Sequence, residues 1–510
     1  MFPTAGIRRN LWTIIVLVPF AAAALAVLLN GVPQLYRSGD GALLELGTRT
    51  TARLQTMTGP YSRFGFHHPG PAYFFARIPL YYLFGRSASA DYLTTCLICF
   101  LCIAASARIM AGFSGNSGAA VFSMLVAVCM LALGPPIWLS DWNPFVILFP
   151  VVLTFLALAA AAAGSAAGLT VGAVAGSFAV QTHMGTFPAV ASAFVFALAV
   201  ILMDLRRIDD EDRPGAFRIL LRRSILPAGI ALLVMWLPVA LSWLTPGGGS
   251  NPGRILAFMR SGPPAAGPAG ALPVWVSAVT NIEGYFLPSR MLRLRGLLTG
   301  VHAVIVAARL VLLALCARAT SGRPLMRFQG MLCRMALLLH PVTFLSVMMV
   351  RGEPHSYLFI WFASMTLVSW TGIVLTAVSL AGLRWRPAIR RWALPAALVL
   401  LVLLSTMNTL AVRREGGMAD GDLLEYDDPA VLRMTEAVSG SLQGYRDVLL
   451  AVTPAVHELW PKMAGLLNAL DREGFDVSPG EGYGFMTGLP PYLVSRTLVV
   501  TEPDHVDWAD

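Results

Sequence analysis

The residues best suited to chemistry lie in one polar stretch near the start of the chain, residues 37–71. This stretch separates two long apolar segments and is too polar to be a membrane span. A carboxylate can accept a proton from a hydroxyl group, and arginine or histidine can hold an anion such as phosphate. The stretch therefore carries the parts of a site for group transfer to a hydroxyl. Its ionisable residues are Arg37, Asp40, Glu45, Arg49, Arg53, Arg63, His67 and His68.

The remainder of the chain has the composition of a membrane protein. Of its 510 residues, 56% are hydrophobic and only 13% are charged, with a mean hydropathy of +0.67. Soluble domains have roughly 25% charged residues, so the repeated apolar runs predict transmembrane helices. The net charge of +9 is then explained by arginines in the loops, which orient such proteins. We therefore predict membrane lipids, and no nucleic acid, as partners.

About 11 apolar runs are long enough to span a bilayer. Arg8 and Arg9 precede the first run, which predicts a retained first helix with a cytoplasmic N-terminus. Alternation then brings the arginine-rich segment 206–224 inside, as the positive-inside rule requires, and the polar segments 37–71 and 245–296 outside. The predicted spans are 11–30, 89–110, 117–137, 144–163, 165–182, 186–204, 225–244, 297–317, 331–350, 358–381 and 392–412.

Shorter elements are predicted outside the membrane. Residues 40–57 and the aromatic segment after Pro71 each predict a short amphipathic helix in the plane of the interface. Residues 1–412 then form one transmembrane module. Residues 413–510 mix apolar, acidic and turn residues, with two helical patterns and one strand pattern at 493–500. We predict a small extracytoplasmic α/β or α+β domain there.

The predicted topology gathers further polar residues on the outer face from separate loops. Asp141 stands between Trp138 and Trp142, which favours a second catalytic acid or an aromatic platform for a sugar, although tryptophan is common at span ends. Asp40 also suits a helix N-cap, a role compatible with an accessible carboxylate. The candidate substrate-binding residues, all histidine or arginine, are Arg53, Arg63, His67, His68, His183, Arg293, Arg351 and His355.

An outward-facing site receives no nucleotide sugar or ATP, so an activated group must arrive there on a lipid carrier. A polyprenyl-phosphate sugar needs a carboxylate that takes the proton of the acceptor hydroxyl, and Asp40 is the candidate for this general base. It also needs cationic groups for the departing phosphate and a groove for the lipid tail. The outer loops contain residues suited to all three tasks.

The layout resembles the GT-C superfamily of integral-membrane glycosyltransferases. It is similar to protein mannosyltransferases, lipid A aminoarabinose transferase and arabinosyltransferases, with an acid in the first outer loop, interfacial helices and many further spans. The segments YSRFGFHHPGPAYF (61–74) and DWNPF (141–145) look like motifs of bacterial members. The resemblance implies a bacterial inner-membrane enzyme in which Asp40 is the first-loop catalytic acid. It implies transfer with inversion, from a polyprenyl-phosphate sugar to an envelope glycan, lipid or protein.

Two points stay open on the residues alone. Members of the superfamily with an Asp-Glu pair in the first loop differ from this chain, where Gly41 follows Asp40. Glu45 or Asp141 is therefore left as a partner acid, although Glu45 also has the i,i+4 spacing for an ion pair with Arg49. The acids and histidines show no fixed metal-ligand spacing, so no metal ligand is assigned. A divalent cation, Mg²⁺ or Mn²⁺, stays open as a cofactor.

Other functions remain as alternatives. A transporter or flippase of lipid-linked saccharides would place ionisable residues at mid-membrane, whereas the predicted spans are nearly free of charge. An envelope polysaccharide polymerase or ligase would carry its chemistry in the late loop 245–296 instead of 37–71. A binding or scaffold role for the C-terminal region is a third alternative.

Overall fold

The structure is a computed structural model. It describes residues 4–30, 36–242, 251–265, 267–284, 295–382, 387–415, 428–442, 447–452, 460–479, 496–500 and 506–509. Helices dominate these residues, as the long apolar runs predict. Numbered in chain order, the helices are α1 (Thr4–Asn30), α2 (Gly39–Ala52), α3 (Ala72–Leu83), α4 (Ala88–Leu133), α5 (Pro135–Trp138), α6 (Asn143–Val146), α7 (Leu148–Ala162), α8 (Gly168–Thr182), α9 (Phe187–Arg206), α10 (Arg213–Leu220), α11 (Leu226–Ser242), α12 (Asn251–Ser261), α13 (Gly267–Ala278), α14 (Asn281–Gly284), α15 (Arg295–Ala319), α16 (Arg327–Met348), α17 (Phe362–Gly382), α18 (Pro387–Glu415), α19 (Pro429–Ser441) and α20 (Trp460–Glu473).

Nine helical segments of the described chain are long and apolar enough to cross a membrane, and the chain is a multi-pass membrane protein. The predicted spans 89–110 and 117–137 correspond to the two halves of α4, which are helices separated by the non-helical Gly115 (φ 60°, ψ −150°). The predicted span 165–182 corresponds to α8, which has only 15 residues, fewer than the roughly 20 that a bilayer requires. The predicted number of about 11 spans is therefore not confirmed.

Glycines allow α7 and α8 to pack closely inside the bundle. Gly168 and Gly172 are one helical turn apart on α8. An added Cβ would lie 2.6 Å from the Ala157 carbonyl oxygen at Gly168 and 2.7 Å from Leu158 at Gly172. Small residues of this kind let helix backbones approach where lipid removes the hydrophobic driving force. All 15 residues of α7 are buried, so α7 is the centre of the bundle.

The first long loop, between α1 and α4, folds into α2, a short hairpin and α3. The hairpin pairs β1 (Tyr61–Ser62) with β2 (Phe66–His67), and Gly65 takes φ 81° in its turn. Helix α2 ends at Ala52 because Leu54 adopts a left-handed conformation (φ 59°). Although 40–57 predicts a helix in the interface plane, most residues of α2 are buried, between α3 and α20.

The outer segment containing α12 covers the hairpin. The Phe258 ring lies 4.7 Å from the Phe64 ring and 5.3 Å from the Phe66 ring. The Asn251 side chain accepts a hydrogen bond from the His67 amide at 2.7 Å and donates one to its carbonyl oxygen at 2.9 Å. This pairing continues the hairpin edge with a side-chain amide, so α12 is fixed to the first loop by both apolar and polar contacts.

The C-terminal region contains a four-stranded mixed sheet beside α19 and α20. The strands are β3 (Asp447–Val452), β4 (Asp476–Pro479), β5 (Arg496–Val500) and β6 (Val506–Ala509), in the order β4-β3-β5-β6. Strand β3 is parallel to β4 and β5, whereas β6 is antiparallel to β5. The predicted strand at 493–500 corresponds to β5. Helix α20 connects the parallel pair β3 and β4, and its other face packs on α2. That the region is a separate domain stays a prediction.

Candidate active site

Helix α2 presents Asp40 in its first turn. Ser38 occupies the N-cap position in an extended conformation, so Asp40 is not the cap, and Gly39 takes φ +54°. An added Cβ at Gly39 would lie 3.6 Å from Pro461 and 3.7 Å from Trp460. The start of α20 therefore packs directly beside the acid. The positive end of the α2 dipole favours a carboxylate at this position.

The carboxyl group of Asp40 is largely enclosed and has an indole partner. Trp142 Nε1 donates a hydrogen bond to Asp40 Oδ2 at 3.0 Å. Burial raises the pKa of Asp40 to about 6, whereas the hydrogen bond from Trp142 lowers it. Among the described residues, no cation contributes to this pKa. Such a carboxyl group is ionised at neutral pH and has a pKa near the working range of a general base.

Aromatic rings form the surroundings of Asp40. The Trp142 ring lies 4.8 Å from the Tyr357 ring, and the Tyr61 ring lies 6.3 Å from the Trp460 ring. Burial, together with the nearby charge of Asp40, raises the pKa of both tyrosines, that of Tyr61 to about 12. The two hydroxyl groups therefore stay protonated at neutral pH and can donate hydrogen bonds. The rings come from four separate segments of the chain.

Arg63 is the predicted substrate-binding arginine that reaches this aromatic group. Its guanidinium carbon lies 5.9 Å from the centre of the Tyr357 ring and 4.8 Å from that of Phe64. Its Nη2 donates to the Glu353 carbonyl oxygen at 2.8 Å. Arg63 is exposed, and a guanidinium has five N–H donors in all. The side chain can therefore keep this contact and still bind an anion.

The structure brings two of the predicted histidines together. The rings of His68 and His183 lie 5.0 Å apart. The Met184 amide donates to His68 Nδ1 at 3.2 Å, which leaves the proton of a neutral His68 on Nε2. Burial lowers the pKa of His68 well below its usual value and that of His183 to about 4. His67 faces elsewhere, with Nδ1 3.1 Å from the Gly59 carbonyl oxygen.

Arg351 and His355 lie in the tight turn before α17. Arg351 donates to the carbonyl oxygens of Met259 at 2.6 Å and Gly262 at 2.9 Å, so it fastens the end of α12 to this turn. The His355 ring stacks on Tyr357 at 5.7 Å. Two predicted substrate-binding residues therefore support the surroundings of Asp40 through α12 and Tyr357.

Glu45 belongs to a buried ionic group that fastens α2 to α20. It accepts from Arg49 at 3.0 Å and from Arg472 at 2.6 Å. Arg49 and Arg53 also contact Asp471, at 2.6 Å and 2.7 Å. Burial alone would raise the pKa of Glu45, but the arginines outweigh it and lower the pKa to about 2. Arg53, a predicted substrate-binding residue, is thus paired with an acid of α20.

Asp141 belongs to another buried ionic group, which joins the segment between α5 and α6 to Arg37, to Arg77 of α3 and to Asp91 of α4. Arg37 Nη1 lies 2.8 Å from Asp141 and 3.1 Å from Asp91, and Arg77 Nη2 lies 2.6 Å from Asp91. Burial raises the pKa of Asp141, but Arg37 and Arg77 outweigh this effect and the net shift is downward. Because Asp141 precedes Trp142, this group fixes the indole that contacts Asp40.

Comparison with known proteins addresses the fold. No protein-family model matches the chain, and no curated protein matches it significantly. The solved structure of ArnT from Cupriavidus metallidurans bound to undecaprenyl phosphate is similar, with a TM-score of 0.52 and 16% sequence identity. Its apo state gives a TM-score of 0.51 at 15% identity. Both similarities cover 92% of this chain and 87% of ArnT.

The chain has the fold of ArnT. ArnT is the lipid A aminoarabinose transferase, a GT-C glycosyltransferase. The predicted resemblance to the GT-C superfamily is therefore confirmed at the level of the fold. At 16% identity the likeness does not extend to the sugar, the acceptor or individual residues.

The sequence prediction missed an ion pair within the membrane part of this ArnT-like fold. Arg309, near the middle of α15, donates to Glu283 Oε1 and to the Val279 carbonyl oxygen, both at 2.7 Å. Trp370 Nε1 donates to the same carboxylate oxygen at 2.8 Å. The expectation of nearly charge-free spans overlooked Arg309, although an arginine inside an apolar run signals a buried partner. The pair holds α14 against α15 and α17.

Two further predictions concern Arg293 and a metal ion. Arg293 lies outside the described residues, so its predicted contact with substrate is untested. Within the described part of the chain, no group of three or more His, Cys, Asp or Glu residues is arranged to hold a metal ion.

Proposed function

We propose that the protein is a membrane glycosyltransferase that moves a sugar from a polyprenyl-phosphate carrier to a hydroxyl group of an envelope glycan, lipid or protein. The observation that carries this proposal is the environment of Asp40. It is an enclosed acid with a raised pKa and an indole partner, without an arginine partner among the described residues. The ArnT-like fold supports the assignment, and one ArnT structure holds undecaprenyl phosphate.

Asp40 acts as the general base in this proposal. Its carboxylate takes the proton of the acceptor hydroxyl while the oxygen attacks the anomeric carbon of the donor. The bond from that carbon to the phosphate oxygen breaks, and polyprenyl phosphate leaves with the electron pair. Attack from the face opposite the phosphate inverts the anomeric centre. The pKa of about 6 keeps Asp40 mostly ionised at neutral pH.

Arg63 and the histidine pair are the proposed contacts of the phosphate. Arg63 reaches the aromatic surroundings of Asp40 and keeps donors for an anion. His68 carries its proton on Nε2 in the neutral form and lies against His183, so it can donate one hydrogen bond. These donors stabilise the charge that develops on the leaving phosphate. Arg293 remains a further candidate for this role.

The other predicted residues position the site in this proposal. Asp141 holds Trp142 through its arginine partners, which replaces its predicted role as second catalytic acid. Arg53 pins α2 to α20, and Arg351 pins α12 to the turn before α17. His355 stacks on Tyr357. The aromatic faces that these contacts hold are suited to stack on a sugar ring.

The proposed location is the bacterial inner membrane, with Asp40 and the C-terminal region outside the cytoplasm. Leu54, which follows the C-terminal end of α2, is 67% exposed, and Leu325, at the opposite end of the bundle, is 93% exposed. The six native cysteines are buried or half-buried. In intact cells, an impermeant thiol reagent should label Leu54→Cys and spare Leu325→Cys. The reverse pattern would place Asp40 in the cytoplasm and refute the proposal.

A flippase of lipid-linked saccharides is a second candidate because Glu283 and Arg309 are ionisable residues within the membrane part. The pair is closed by Val279 and Trp370, which is the arrangement expected of a structural contact. Asp40→Asn separates the two functions. If the protein is a flippase, Asp40→Asn should leave flipping of a labelled carrier lipid in proteoliposomes unchanged. If it is a glycosyltransferase, Asp40→Asn should abolish sugar transfer.

The decisive experiment is transfer from a polyprenyl-phosphate sugar by purified Asp40→Asn protein. Loss of the general base should reduce the rate by about 10²–10⁴-fold. Asp210→Asn, at an acid whose side chain is 88% exposed, is the matched control and should keep the wild-type rate. Wild-type transfer by Asp40→Asn at normal protein levels would refute the mechanism.

A further inference from the structure

A large cavity opens at the end of the bundle opposite Asp40. Its volume is about 1120 Å³, and it lies between α4, α16, α17 and α18. Helix α17 begins beside the turn that carries Tyr357 and ends at Gly382, which lines the cavity. Small-molecule sites measure roughly 300–1,000 Å³. The cavity therefore exceeds this range and has no part in the proposed transfer reaction.

Most of the cavity wall is apolar. This apolar lining comes from three helices, α4, α17 and α18. It provides a surface for a hydrocarbon chain along the helices. The residues of this wall are Val121, Met124, Leu125, Val374, Val378 and Ala397.

The cavity has a polar side, called its mouth here because it includes the exposed Ser117. Ser114, Ser117 and Gln329 line it, close to Gly115, where the two halves of α4 meet. Gln329 is 3% exposed. Its Nε2 donates to Ser114 Oγ at 3.4 Å, but its Oε1 has no hydrogen-bond partner among the described residues. A buried amide oxygen left unpaired is unfavourable, so the mouth has an acceptor ready for a donor on a ligand.

A basic residue also lines the cavity. Arg323 is exposed and belongs to the segment between α15 and α16. None of the described lining residues is acidic. Basic pockets between transmembrane helices on the cytoplasmic side are a recognised setting for anionic lipid headgroups.

We propose that this cavity binds one anionic phospholipid of the leaflet opposite Asp40. The lipid phosphate pairs with Arg323, and a hydroxyl group of the headgroup or glycerol donates to Gln329 Oε1. An acyl chain follows the apolar wall formed by α4, α17 and α18. The bound lipid fills the space between these helices and stabilises the bundle.

The carrier lipid of the proposed reaction is a poorer candidate for this cavity. Helix α17 has 21 residues, and at 1.5 Å per residue its two ends lie about 30 Å apart. A phosphate held at Arg323 is therefore about a membrane thickness from Asp40. A phospholipid, in contrast, is always present in the leaflet where the cavity opens.

Native mass spectrometry of the purified full chain tests the proposal. The protein is incubated with phosphatidylglycerol or with phosphatidylcholine, and retained lipid is counted. Wild type should retain one phosphatidylglycerol in preference to phosphatidylcholine. Arg323→Gln should lower this occupancy about fivefold, the usual effect of one basic residue at an anionic lipid. Ser117→Trp, at an exposed lining position, should fill the cavity and abolish retention.

Arg222→Gln is the matched control, because Arg222 is exposed, belongs to the segment between α10 and α11, and does not line the cavity. It should retain lipid as wild type does. Equal retention by wild type, Arg323→Gln and Ser117→Trp would overturn the proposal. So would equal retention of the two phospholipids by the wild type. Phosphatidylglycerol should also raise the melting temperature of wild type but not of Ser117→Trp.

Discussion

Two carboxylates of one short helix have opposite environments. Asp40 and Glu45 lie five residues apart on α2, and both are removed from bulk water. Burial raises the pKa of Asp40 to about 6, with an indole as its partner. The pKa of Glu45 falls to about 2 because arginines surround it. Their different surroundings therefore suit the two acids to different roles. Glu45 is a structural anion, whereas Asp40 is suited to take up a proton.

Asp141 belongs with Glu45 in this comparison. Arginines neutralise both acids, and both join separate elements: Asp141 contacts Arg37 and Arg77 of α3, and Glu45 contacts Arg472 of α20. Such pairs give little net stability but are costly to break. The difference from Asp40 lies in the arginines, which Asp40 lacks among the described residues.

Loss of one partner from the Glu45 group should give the largest change in stability. Glu45→Gln leaves Arg49 and Arg472 buried beside a neutral amide, which should cost about 3–5 kcal/mol. Thermal unfolding in detergent measures it, with Glu353→Gln, an 81% exposed side chain, as control. The contribution of Glu45 is present above pH 4.5 and is lost as the pH falls towards 2. An unchanged melting temperature in Glu45→Gln would contradict the structural role of Glu45.

Asp40→Asn should change the stability of the protein in the opposite direction from Glu45→Gln. The folded state raises the pKa of Asp40, so this group favours folding when protonated and that contribution is lost as the pH rises through about 6. Above pH 6 the uncharged amide should stabilise the protein, by at most about 3 kcal/mol for a shift of about two pKa units. Thermal unfolding at pH 7.5 measures it. A variant less stable than wild type would show that Asp40 has a structural partner.

The pH dependence of transfer should follow the same group. A general base must be ionised, so the rate should fall about tenfold per pH unit below about pH 6. Transfer by the wild type is measured from pH 4.5 to 8, and circular dichroism at each pH excludes unfolding. A rate that stays constant down to pH 4.5 would assign the chemistry to a group with a lower pKa, such as Asp141.

The sequence predicts contacts between neighbouring residues of this site better than contacts between segments that are distant along the chain. The i,i+4 spacing of Glu45 and Arg49 predicts their ion pair, which the structure confirms at 3.0 Å. Asp471 and Arg472 complete that group from the other end of the chain. Nothing local to either segment encodes this contact, because it depends on how α20 packs on α2.

Contacts between distant segments also explain why the membrane part of the structure differs from the sequence prediction. Hydropathy identifies apolar runs and predicts the two helices that Gly115 separates within α4, but it overestimates the length of α8, which has 15 residues. It also averages out a single Arg309, whose partner Glu283 comes from a separate segment. The convergence of Trp142, Tyr357 and Trp460 around Asp40 is likewise a result of tertiary packing. Topology predicts a common membrane face for these residues, which stays a prediction, and it does not predict their contacts.

Removal of the hydrogen bond from Trp142 to Asp40 should have the smallest effect of these substitutions, because it changes only the pKa of Asp40. Trp142 Nε1 donates to ionised Asp40 at 3.0 Å and so lowers its pKa. Trp142→Phe keeps a ring against Tyr357 but removes the donor, and should move the acid limb of the rate upward by about one pH unit. Trp138→Phe is the matched control, since the Trp138 indole donates to the Met130 carbonyl oxygen instead. An equal shift in both variants would mean that the acid limb follows general loosening of the site, whereas a shift confined to Trp142→Phe ties it to Asp40.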